Sequence, residues 1–125
     1  MTILSGRTLT PSDLDKVVDL LEKYHFSLKS YFDLGLYLHL SYSTLVEIKE
    51  NNRRDIRSCF KECLASWLSG ADGVENPTID KLIAALEEIG EYAVAQYIDE
   101  ERRREYDIIK PYSSLFIQHT CNNHF

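Results

Sequence analysis

Cys59 and Cys63 stand four residues apart, a spacing that sets two thiols on one face of a helix and would suit a pair of metal ligands. Near the end of the chain His119, Cys121 and His124 form a second group of ligand-type side chains. A zinc ion takes four ligands, or three and a water, and neither group reaches that number. Cys59 and Cys63 also share an apolar stripe with Phe60 and Trp67, where free cysteine ordinarily serves as a small core hydrophobe. His25 and His39 lie apart, with no acid or nucleophile patterned around them, and suit helix ends or the edge of a core. The chain has no glycine-rich phosphate loop, no nucleophile elbow and no paired His-Glu zinc motif. The expectation is a protein that is not an enzyme and carries no cofactor, no metal and no small-molecule ligand.

Charge is more informative. Fourteen Lys and Arg stand against twenty Asp and Glu, a net charge of −6. Such a surface repels phosphate backbones, so nucleic acid is not an expected partner. The charges are also sorted. Arg53, Arg54, Arg57 and Lys61 gather in one stretch, Asp13, Asp15, Asp19 and Glu22 in another, and Glu87, Glu88 and Glu91 in a third. Two roles are open to them: a solvated helical surface, or a charge-complementary surface for a protein partner.

The elements that must position these residues are helical. Thr10-Pro11-Ser12-Asp13 gives a capping hydroxyl, a proline for the first helical position and an acid three residues on. Leu14, Val17, Val18 and Leu21 follow as one apolar stripe. A second helix is expected from about Leu28 to Leu40, with Tyr31, Leu34 and Leu38 in register and Gly35 in its interior. A glycine there costs about 1 kcal/mol against alanine and points to close helix packing. The third runs within Ser41–Asn52, capped by Ser43, with Leu45 and Ile48 inward. The fourth is the most periodic, through Ile56, Cys59, Phe60, Cys63, Leu64, Trp67 and Leu68, and Gly70 ends it. Thr78 caps a fifth, with Ile79, Leu82, Ala85, Leu86 and Ile89 inward and Gly90 as its stop. A sixth begins near Tyr92 with Ala95 and Ile98 inward, and the pairs Asp99–Arg103 and Glu100–Arg104 support an extension. Pro111 stops it.

At 125 residues the chain fits one domain. The division is an N-terminal tail (1–9), a helical domain (10–98), a charged helix extension (99–110) and a C-terminal tail (111–125) that docks on the domain. Three cysteines in no disulfide pattern, the absence of a signal-like start and the lack of a long apolar run imply a cytoplasmic protein with no membrane insertion.

The series Leu34-Gly35-Leu36-Tyr37-Leu38, Ser43 to Ile48, Cys63-Leu64 through Trp67-Leu68, Thr78…Leu82…Ala85-Leu86…Ile89-Gly90 and Ala93…Ile98 resembles the death domain of the death-fold superfamily. In character it is closest to the divergent death domains of simple invertebrates. The extension and tail after Ile98 depart from the family pattern. The resemblance implies an all-α, six-helix antiparallel bundle. It also implies homotypic association with other death-fold proteins, and with copies of itself, as an adaptor or receptor tail in apoptotic or innate-immune signalling. By the same resemblance the candidate contacts are Arg53, Arg54, Arg57 and Lys61, Asp15, Asp19 and Glu22 of the first helix, Glu47 and Glu50 of the third, and Glu88 and Glu91 at the fifth–sixth corner. The alternatives are a structural helical domain of a larger protein, without assembling activity, and, disfavoured by the acidity, a helical DNA-binding domain.

Overall fold

The computed structural model describes residue 4 and residues 6–109, with side chains through residue 104. Six helices carry it: α1 (Leu14–Lys23), α2 (Tyr31–Tyr37), α3 (Tyr42–Asn51), α4 (Ile56–Leu68), α5 (Ile79–Glu88) and α6 (Tyr92–Ile109). All regular structure among the described residues is helical, and the six helices pack as one bundle, as the resemblance implies. The expected pair Asp99–Arg103 is formed at 2.9 Å on the extended part of α6, whereas Glu100 accepts from Gln96 instead. Pro111 and the tail, with His119, Cys121 and His124, lie outside the described residues.

α4 is the axis of the bundle and packs on α1, α2 and α3, while α5 lies along α6 and touches α2. This follows from its sequence: Cys59, Phe60, Cys63, Leu64, Trp67 and Leu68 are all buried, a stripe wide enough to face several neighbours. Phe60 stacks on Phe26 with ring centroids 5.4 Å apart. Ile56 departs from the expectation, being 45% exposed. It is the first residue of α4, on the apolar face but beyond the layer of side chains that covers the rest. Ile89 and Leu14 are only half-buried for a similar reason, each standing at a helix end, while Ile83 joins the core.

Gly35 is where α2 meets both α3 and α4. A Cβ there would stand 2.6 Å from Leu45 Cδ2 and 2.9 Å from Cys63 Sγ, so that these fully buried side chains would have to shift. The glycine is the condition for the three helices to close.

Three helices end in the same way. After α1, His25 N–H donates to the Glu22 carbonyl and Phe26 N–H to Leu21; after α2, His39 donates to Leu36 and Leu40 to Gly35; after α5, Gly90 donates to Glu87 and Glu91 to Leu86. Each is a Schellman ending, which places one residue in the left-handed region. Those residues are His25 (φ 63°), His39 (φ 76°) and Gly90 (φ 87°). The turn then swings the next side chain back on the bundle, so that Phe26 and Leu40 are buried although neither belongs to a helical stripe. The ending at His39 also makes α2 shorter than the expected 28–40, with only a single 3-10 turn over Leu28–Ser30 ahead of it.

The starts of α3, α4 and α5 are capped by short polar side chains. Ser41 Oγ accepts from the Thr44 amide at 3.1 Å, so the cap of α3 is Ser41 and not Ser43. Asp55 and Thr78 do the same for α4 and α5. Asp72, in the α4–α5 connection, accepts from the Ser41 amide at 2.8 Å and from Thr44 Oγ1 at 3.0 Å, tying that loop to the start of α3.

Candidate protein-interaction surface

The basic and acidic stretches that are separate in sequence meet across α1 and α4. Glu22, near the end of α1, receives a fork from Arg57 at the start of α4, with Nε to Oε2 at 2.8 Å and Nη2 to Oε1 at 3.1 Å. The fork holds the Glu22 carboxyl below its usual range, with Lys61 adding to the field, and raises the Arg57 guanidinium. Asp15 and Asp19 are exposed on the same acidic helix, and Asp19 lies within the field of Arg57. The result is one mosaic of alternating sign. Arg53 reaches Glu50 of α3 at 3.4 Å, both side chains largely in solvent. Arg54 is exposed, and no carboxylate among the described residues stands within ion-pair distance of it.

Glu47 and Glu50 lie exposed on α3. Glu88 is exposed at the end of α5 and Glu91 half-buried just past the Gly90 turn. Glu88 also stands at the rim of a groove of about 580 Å³ floored by Trp67 and Ala85 and flanked by Tyr37, His39 and Lys81. The structure thus brings Glu22, Arg57 and Lys61 together and Arg53 with Glu50, and joins neither pair by a bond to Glu88 or Glu91 among the described residues.

Asp13, which the sequence groups with the acidic first helix, is not a surface charge. It is buried, and Arg7 clasps it through two bonds of 2.9 Å while the Thr10 amide donates at 2.8 Å. The guanidinium fork, reinforced by the Thr10 amide, holds its carboxyl well below the usual carboxylate range against the opposing effect of burial. Leu4 and Leu9, from the stretch expected to be an N-terminal tail, are buried, and Leu9 N–H donates to the Pro77 carbonyl at 2.7 Å.

A second constellation absent from sequence reasoning fastens α1 to α6. The Tyr24 hydroxyl donates to Glu101, Lys23 Nζ pairs with the same carboxylate at 3.1 Å, and the Tyr24 ring stacks on Tyr97 at 5.3 Å. On its other side α6 holds α5, where Arg102 bridges Asp80 and Asp99. The seventy-odd residues between partners, and the lack of any period in lone Tyr-Glu pairs, leave no local signal for these contacts.

Cys59 and Cys63 are buried free thiols. Cys63 Sγ donates to the Tyr31 carbonyl at 3.5 Å, and burial pushes its thiol up to about 12. Cys59 Sγ donates to the Asn52 carbonyl at 3.4 Å. Among the described residues no group of three or more His, Cys, Asp or Glu is placed to hold a metal, and no helix is long and apolar enough to cross a membrane.

The family model described as the death domain matches residues 13–102, from Asp13 to Arg102. Neither a curated protein nor a solved structure matches the chain.

Proposed function

Because the chain belongs to the death domain family, we propose that it works by homotypic association, joining other death-fold domains and copies of itself in intracellular signalling. The family's members are interaction modules and not enzymes. The role proposed is that of an adaptor or receptor tail in apoptotic or innate-immune signalling, in the cytoplasm. The observation that supports it most is the α1–α4 mosaic, where the Arg57–Glu22 fork joins the two helices, Asp19 stands exposed within the field of Arg57, Asp15 is exposed on the same helix and Arg54 is exposed just ahead of α4. A head-to-tail contact through it that does not close into a ring would grow into an open array. Its charges select and orient the partner more than they supply affinity.

Light scattering across protein and salt concentrations tests this. The expected result is reversible growth beyond a monomer that salt suppresses. Arg54→Glu is the clean variant, since Arg57→Glu also breaks a bond inside the domain; Arg54→Glu should weaken association about tenfold, equivalent to about 1.4 kcal/mol. Partner binding and self-association both unchanged in the doubly reversed Arg54→Glu, Arg57→Glu chain, with its fold intact, would remove the mosaic as the binding face. A chain that stays monomeric at every concentration and captures no death-fold partner would instead fit a structural domain of a larger protein.

A further inference from the structure

A concave site lies between the turn ahead of α2, the length of α3 and the start of α4, and of the candidate homotypic contacts only Glu50 and Arg53 line it. Its floor is apolar: Phe32 and Val46 are half-buried, and Tyr31 and Cys59 close it from below. Tyr42, 67% exposed, meets Phe32 edge-on at 5.6 Å, and Ile56, 45% exposed, stands at the rim. Thus two of the six large hydrophobic side chains left exposed among the described residues flank one groove. Its volume, about 610 Å³, is that of a site for a few side chains.

The electrostatics of the groove oppose those of the chain. Lys29, Lys49 and Arg53 line it against a single acid, Glu50, in a protein of net charge −6. Glu50 is already engaged by Arg53. Neither Lys29 nor Lys49 stands within ion-pair distance of a carboxylate among the described residues. Two free ammonium groups over an aromatic and aliphatic floor match an occupant with the opposite arrangement, acids on either side of an apolar anchor.

We propose that this groove binds a short linear segment of a partner protein in which Asp or Glu flanks an aromatic or aliphatic side chain, the anchor entering between Tyr42 and Ile56 while the acids meet Lys29 and Lys49. Residues 110–125 contain no Asp or Glu and so lack the acids that this ligand requires. The apolar floor distinguishes the site from a phosphate-backbone track, which would need cations along its length and not only at the rim.

Selection of random linear peptides displayed on phage, with the full chain as bait, tests it. The expected pool is enriched in Asp and Glu around a hydrophobic residue. A peptide from that pool should shift the amide resonances of residues 29–32, 42–53 and 56 in the labelled protein. It should bind about tenfold more weakly to Tyr42→Ala and to Lys29→Glu, Lys49→Glu, side chains whose exposure leaves the fold untouched. These variants spare Arg54 and Arg57, so self-association can persist when peptide binding is lost, and the reverse. The proposal is overturned by a pool without acidic enrichment, by shifts that map elsewhere, by undiminished binding to the variants, or by a labelled oligothymidylate that displaces the peptide.

Discussion

Gly35 shows how a single missing atom decides a junction. Alanine at this helical position would gain about 1 kcal/mol in propensity. Its methyl would, however, overlap the buried side chains of Leu45 and Cys63. Overpacking of this sort costs about 1–3 kcal/mol, so Gly35→Ala is expected to lower the unfolding free energy measured in urea, against the sign that propensity alone gives. The interior glycine made that close approach legible in the sequence. Asp13 was not legible in the same way, because its partner Arg7 sits in a stretch without periodicity. Its folded-state carboxyl is depressed by that partner, so the pair stabilises the fold fully above the unfolded carboxylate value of about 4, and the contribution is lost progressively as pH falls from there through the much lower folded-state value. Asp13→Asn is therefore expected to lose about 1–2 kcal/mol at pH 7, with the gap to the unmodified chain closing only below about pH 4 in acid-titrated unfolding curves.

The helices themselves were readable because their stripes are strong, whereas their ends were read less well. Periodicity identifies the buried face of α4 correctly but does not say how far its neighbours extend, which is why Ile56 emerges into solvent. The stop of α2 carries no signal in the sequence, because a histidine occupies the left-handed position that glycine usually marks, as it does visibly at Gly90. A side chain with a Cβ is disfavoured in that conformation by about 1 kcal/mol. His39→Gly should accordingly raise the melting temperature, as should His25→Gly, provided that the relief outweighs the added freedom of the unfolded chain. Phe26 and Leu40, buried by these turns, carry no helical period of their own and had no signal beyond being hydrophobic next to a helix end.

Over the whole molecule, the order of elements was legible, and so was the family, since the series from Leu34 to Ile98 depends on core residues in fixed succession. The pairing of charges was not. Arg57 and Glu22 are thirty-five positions apart, and only the packing of α1 on α4 makes them neighbours. Sequence presents an acidic helix and a basic one; the fold presents a single surface on which part of that charge is already satisfied. Arg54, Asp15 and Asp19 retain exposed charge there, and the salt dependence of association should follow these residues more closely than it follows Arg57.

The fastening of α6 has a mechanical consequence. Tyr24, Tyr97 and the Lys23–Glu101 pair secure it to α1, and Arg102 secures it to α5 through Asp80. A tension applied at the Ile109 end would run along the helix axis and load both seams in shear, so their bonds must rupture together and not one after another. An assembly strung through that helix would transmit a pull into the body of the domain before it peeled.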